Sequence, residues 1–336
     1  MSDAELQLRI HSDVDLVAVV PYLLGFHPGD GSIVVIAIAD NLVVFSARLD
    51  LPGPDSPRAA LPDATRHIAD VARRTHPNPT MVLIGYGPAS DLDPALHAVA
   101  AVFAIEGLPV RQPLRVTSNR IHHLGCAHPD CSPDGVPFDP SASLIPAEAT
   151  YAGVVALHSR DAKAALLNPD PVASGETIQQ AIIEATTRLD THGDDVRETA
   201  ASAVTEALRR HADGASPHAT ELAWLLVLLA RPPLWGLALS RTEPSPQHLA
   251  FWTEVTRRAP EPFVPAPATL LAITAWGFGD GMLAELAARR ALQIDPTNEN
   301  ATAVLWAVKS GISPAEIERS ITHPDTAVDP EDDHGK

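Results

Sequence analysis

Residues 21–50 read PYLLGFHPGDGSIVVIAIADNLVVFSARLD, and most of the fold can be read outward from them. A helix-like segment ends in a loop of two glycines, a histidine, a proline and an aspartate, and two apolar runs follow. Ile33 to Ala39 and Leu42 to Leu49 are strand-like and are separated only by Asp40 and Asn41, a pair that suits a tight hairpin turn. Upstream, Ser12 caps a helix with Asp15 at the reciprocal position. Leu16, Val17, Val20, Leu23 and Leu24 give that helix its apolar side, which Pro21 kinks or shortens.

Downstream, the proline-rich LPGPDSPRAALPD leads to a helix around 62–75 and a strand at 81–87, MVLIGYG. Helical spacing returns over 91–106. Further strands are expected near 113–124, then a cysteine-containing loop and a helix around 147–158. The fold class is therefore α/β or α+β: an N-terminal mixed sheet including an antiparallel hairpin, flanked by helices, with a mainly helical C-terminal region. From about residue 175 the apolar pattern predicts helices at 176–190, 194–211, 217–230, 246–258, 267–277, 280–293 and 298–309. The expected organisation is a mixed domain over 1–170, a helical domain or extension over 171–320 and an acidic flexible tail over 321–336.

The bulk composition narrows the function classes. The 336 residues are 45% hydrophobic, enough for a sizeable core, and 42 acidic against 24 basic residues give a formal charge of -18. Nucleic acid and anionic membrane surfaces are disfavoured as partners for such a chain. The apolar stretch at 222–239, LAWLLVLLARPPLWGLAL, is broken by Arg231, Pro232 and Pro233, which predicts two buried helices joined by a turn and not a membrane span. Two cysteines and an N-terminus without an export pattern point to a reducing, cytoplasmic setting.

Late in the chain, GDGMLAELAARRALQIDPTNENATAVLWAV resembles part of a tetratricopeptide hairpin, although no second copy stands out at the repeat period of about 34 residues. An ordinary helix pair and a peptide-binding, repeat-like surface are both compatible with it. The segments PYLLGFHPGDGSIVV, ARLDLP at 47–52, GYG at 85–87, SNRIHHLGCAHPDCSPDGVPFD and WGFGDGMLAELAARRALQIDP together resemble the actinobacterial family catalogued as domain of unknown function 4192. The resemblance covers most of the chain. It implies a shared architecture and brings no substrate or catalytic residue with it. It also implies two adjacent cysteines before the proline at 133, where this chain has Cys131 followed by Ser132.

Three groups of residues carry chemistry. In the opening loop, His27 is of a residue type able to exchange a proton near neutral pH, Asp30 can orient it or bind a polar ligand, and Ser32 offers a hydroxyl. The loop precedes a strand and lacks the lysine of a phosphate loop, so the leading reading is a helix-to-strand junction, with ligand binding and catalysis as alternatives. In HHLGCAHPDC, His122, His123, Cys126, His128 and Cys131 are sufficient in type for a structural zinc site. A reversible disulfide, a reactive thiol, a Cys-His pair or an ordinary polar loop also fits them. The third group is a composite pocket at strand ends: Arg48 and Arg120 to receive a carboxylate or phosphate, Asp50 to orient them, and Tyr86 beside them.

These features support a binding or assembly protein with a pocket for a small anionic molecule or a peptide and a helical surface for a protein partner, a second copy of the chain included. The alternative is an enzyme acting on a small anionic substrate by acid/base chemistry, with His27 or His128 as the acid/base and Arg48 or Arg120 stabilising charge. Trp224, Trp235, Trp252, Trp276 and Trp306 are expected mostly in the core, and an exposed patch of them would favour the interaction role.

Overall fold

The computed structural model describes residues 10–53, 55–57, 59–126, 131–170, 175–191 and 196–322. The chain divides into two compact units, residues 1–163 and 164–336. The first holds an N-terminal mixed sheet with an antiparallel hairpin between helices, and the second is largely helical.

In the first unit the order is α1 (Asp13–Leu24), β1 (Ser32–Ala39), β2 (Leu42–Asp50), α2 (Ala60–Thr75), β3 (Thr80–Tyr86), α3 (Ala89–Ile105), β4 (Leu114–Thr117), β5 (Arg120–His123), β6 (Val136–Pro137), α4 (Ile145–Tyr151) and α5 (Arg160–Ala165), which runs into the second unit. The sheet order is β2-β1-β3-β4-β5-β6. Only β3 and β4 are parallel, as expected where a whole helix, α3, must carry the chain back across the sheet. The hairpins turn on Asp40-Asn41 and Ser118-Asn119, all four residues at positive φ.

Strict alternation along the strands gives the sheet two faces. One carries Ile33, Val35, Ala37, Met81 and Leu83 and packs on α2 and α3 through Ile68, Ala69, Leu92, Leu96 and Phe103. The other carries Val34, Ile36, Val82, Ile84, Leu114 and Ile121 and packs on Leu16, Val17 and Val20 of α1. Gly85 is the close approach between sheet and α3: a Cβ there would stand 2.8 Å from Cδ1 of both Leu92 and Leu96.

Helix α1 begins as its sequence dictates. Ser12 Oγ accepts from Asp15 N at 3.1 Å, and Asp15 accepts from His11 N and, at 2.7 Å, from the Ser143 hydroxyl. The Ser143 hydrogen bond is the main reason the Asp15 carboxyl lies below its ordinary range. Pro21 is buried without ending the helix, which runs on to Leu24 and stops at Gly25, φ 75°. The expected helix at 147–158 is shorter, because Gly153 adopts φ 78° and the following segment turns back to pair Leu157 with Phe26.

The second unit contains α6 (Glu176–Asp190), α7 (Val196–Ala212), α8 (Ala219–Leu229), α9 (Pro232–Ser240), α10 (Pro246–Arg258), α11 (Pro265–Phe278), α12 (Gly281–Ile294), α13 (Glu299–Lys309) and α14 (Pro314–Thr322). Helices α8 and α9 meet at 111°, with Pro232 and Pro233 opening the second, where a missing N–H costs nothing. Among the described residues no single helix is long and apolar enough to cross a membrane. Helices α11 and α13 begin 34 residues apart, and α12 and α14 begin 33 apart, so the repeat period absent from the residue pattern is present in the helix starts.

Trp252 is wholly buried and Trp224 nearly so, Trp235 and Trp276 are half-buried, and Trp306 is 61% exposed. The tryptophans therefore do not form one exposed patch. Residues 323–336, most of the expected acidic tail, lie outside the described residues.

Candidate functional site

Three strands set the candidate site by register. Asp50 of β2 pairs with Ser32 of β1, and Ser32 pairs with Tyr86 of β3, so the three form one row across the sheet on the α1 face. Arg48 lies on the same face, opposite Val34. The opening loop pins this end: Gly31 N donates to Tyr86 O at 2.8 Å, and Leu51 N donates to Gly31 O at 2.8 Å. The Ser32 hydroxyl donates to Gly29 O at 2.6 Å and so closes the loop.

The charge around this row is uneven. Arg48 bonds Asp50 at 2.6 Å, and Arg160 reaches the other Asp50 oxygen at 3.3 Å. Arg48 Cζ and Lys163 Nζ each lie 5.9 Å from the centroid of Phe26, a separation at which a cation is attracted to the ring face. Lys163 is 3% exposed and donates to Leu24 O at 3.0 Å, where the negative end of α1 favours a cation. Two arginines thus share one carboxylate, from exposed Arg160 and Asp50 inward to Arg48, whose side chain is 15% exposed, while Lys163 is linked to Arg48 only in that both cations meet the Phe26 ring.

Two buried polar atoms here have no hydrogen-bond partner among the described residues, Arg48 Nε and the Tyr86 hydroxyl. Burial pulls the Arg48 guanidinium below its ordinary value, with Asp50 opposing, and burial pushes the Tyr86 phenol far up. Tyr86 is therefore a neutral donor and Arg48 a charged one, since guanidinium remains protonated in proteins.

The other predicted residues are dispersed. His27 and Asp30 are exposed, and His27 is held by its backbone N–H on Leu157 O at 2.8 Å. Arg120 is on the opposite face from Arg48 and donates to Gly135 O at 2.8 Å, so the expected pairing of the two arginines around one anion does not form. Adjacent positions on β5 point His122 and His123 to opposite faces, so one ion cannot take both. His123 Nε2 is 2.8 Å from Asp13 on the α1 side. His122 sits with Arg115, its cross-strand partner, whose Nε donates to Asp93 at 2.7 Å. Burial is the main cause, with Arg115 next, of a His122 pKa below the ordinary value.

The Cys131 thiol donates to the Cys126 sulfur at 2.9 Å. His128 lies outside the described residues, and among the described residues no group of three or more His, Cys, Asp or Glu is arranged to hold a metal.

Sequence reading missed Phe26, Arg160 and Lys163. Lys163 carried a signal: it is one of only three lysines in the chain, the others being Lys309 and Lys336. Asp93 and Arg115 gave none, because their pairing depends on how α3 crosses the sheet.

Comparison with curated proteins and with solved structures gave no match. The family described as Domain of unknown function (DUF4192) matches residues 14–315, which span both units, and the chain belongs to that family.

Proposed function

We propose that this is a binding protein whose first unit takes a small anionic group, a carboxylate or phosphate, at the sheet end where Arg48 and Arg160 meet. The observation that carries this reading is the buried Arg48 Nε without a hydrogen-bond partner among the described residues, beside Arg160, which shares the Asp50 carboxylate with it. A buried donor left unmade costs about 1–3 kcal/mol, and an anion accepting from Arg48 would remove that cost. Arg160 and Asp50, both about half exposed, form the entrance, and Asp50 would release Arg160 as the anion enters.

Calorimetry and thermal shift with inorganic phosphate, pyrophosphate and citrate test this. The expected result is saturable stabilisation by one of these anions, weakened roughly tenfold or more in Arg160→Gln, as loss of one charge-assisted hydrogen bond implies. Arg160 is exposed, so this variant keeps the fold that Arg48→Gln puts at risk. No stabilisation by any of the anions, or equal stabilisation of the variant, would refute the reading.

A second reading, acid/base chemistry on a small anionic substrate, draws on the opposite face, where His122 lies beside Arg115 and Asp93. A histidine kept neutral next to a fixed arginine has the polarity of a general base with an anion clamp. Loss of turnover in His122→Asn with unchanged anion affinity would favour this reading over simple binding.

A further inference from the structure

The second unit has an open cleft of ≈ 980 Å³ between the start of α9, the start of α11 and the α12–α13 turn. Its floor is apolar, with Leu226, Leu229, Trp235, Phe263 and Ile294. Glu261 lines it from the segment before α11 and Asp295 and Glu299 from the α12–α13 turn, where Asp295 accepts from Thr297 N and Oγ1; none of the lining residues is Lys, Arg or His. No ion pair is formed by these three carboxylates among the described residues. Elsewhere in the unit, acidic side chains are commonly paired, as Glu206 is with Arg209, Glu254 with Arg258 and Glu285 with Arg289.

The walls are fixed before anything binds. Trp235 Nε1 donates to Ala266 O at 3.0 Å and ties α9 to α11. Asn298 donates to Thr269 Oγ1 at 3.1 Å while its side-chain oxygen caps α13 by accepting from Ala301 N at 2.9 Å. Exposed Gln293 and Asn300 add amide groups at the rim that can meet a peptide backbone. The volume lies at the upper end of the range for small-molecule sites, and the lining draws on several elements, which suits a segment of chain better than one small cation.

We propose that this cleft binds an extended basic peptide, its apolar residue seated against Trp235 and Phe263 and its flanking Arg or Lys side chains paired with Glu261 and Glu299. Charge complementarity selects that occupant: apolar side chains flanked on two sides by carboxylates that form no ion pair reward a peptide that brings both apolar surface and positive charge. It disfavours the chain's own C-terminus, where residues 323–336 contain Asp325, Asp329, Glu331, Asp332 and Asp333 against the one basic residue Lys336. The inference is independent of the anion site in the first unit.

Fluorescence anisotropy with the full chain tests it. The probe is a fluorescein-labelled peptide with a central leucine flanked on each side by two arginines. Saturable binding is expected, weakened at least tenfold when the leucine is changed to serine and abolished when the arginines are changed to glutamates. The double variant Glu261→Gln/Glu299→Gln, both positions being exposed, is expected to keep its melting temperature, lose affinity at least tenfold and lose most of the salt dependence. Four outcomes overturn the proposal: no binding of the arginine peptide up to about 1 mM, undiminished binding by the double variant, equal binding of the glutamate peptide, or displacement of the peptide by spermidine at matching concentration, which would mark a site for small polyamines.

Discussion

Replacing Tyr86 by phenylalanine is expected to stabilise the first unit. The ring is half-buried on the α1 face, but its hydroxyl is fully buried and meets no partner among the described residues. A hydroxyl in that position costs about 1–3 kcal/mol, and phenylalanine removes it while keeping the ring and its packing. Allowing for contacts that the oxygen makes by dispersion, the net gain is about 1 kcal/mol, which for a unit of this size raises Tm by roughly 2–4 °C.

The pH dependence supplies a second readout. The folded phenol titrates above the unfolded one, so the folded chain holds its proton where the unfolded chain releases it. The wild type therefore loses stability as pH rises above about 10, and Tyr86→Phe lacks that loss. Because a chain of two units need not unfold in one step, the assay is hydrogen exchange resolved to the β3 peptide at several urea concentrations. The same variant should show weaker stabilisation by phosphate if the hydroxyl donates to the anion. Faster exchange of β3 in Tyr86→Phe would refute the reasoning, since it would mean that the hydroxyl already has a stabilising partner.

Gly135→Ala is expected to cost about 2–4 kcal/mol, because Gly135 has φ 74° and a Cβ would stand 2.8 Å from Ile121 O and 2.9 Å from the His122 ring. Gly125→Ala, at φ 73° with open space around it, should cost only about 1–2 kcal/mol, and urea unfolding of the pair isolates the close approach. His122 has a depressed pKa in the folded state, so stability is retained above the unfolded value of about 6.5 and lost as pH falls through the folded one. Unfolding midpoints measured across that range should fall less steeply in His122→Asn, with His248, also depressed by burial, accounting for part of the slope that remains.

What was legible in the sequence was local. Asp40-Asn41 could be read as a hairpin turn because few residues accept positive φ, and the apolar runs on either side could be read as its strands, whereas the register and its bulge at Ala37/Ile38 had no mark in the sequence. Ser118-Asn119 makes the same turn and carried a weaker version of the same signal. The even spacing of helix starts in the second unit was hidden for the opposite reason. Its period resides in where helices start, and those starts are set by different residues: Val264 and Pro265 for α11, Asn298 for α13. A residue-by-residue comparison has nothing to match.

The opening loop shows why a motif can mark a family without containing its chemistry. Its glycines and Ser32 hold β1, β2 and β3 in register, and its two titratable side chains, His27 and Asp30, face solvent. The proposed anion site instead draws on Arg48 and Asp50 at the end of β2, Tyr86 at the end of β3 and Arg160 of α5. A net charge of -18 gives no hint of it, because charge summed over a chain says nothing of where opposite signs collect. The proposed anion site in the first unit rests on Arg48 and Arg160, and the proposed peptide cleft in the second on Glu261, Asp295 and Glu299. A single acidic surface would attract one class of ligand weakly everywhere. Two local sites of opposite sign, each with buried or apolar walls that strengthen electrostatics, can take two chemically different ligands on one chain.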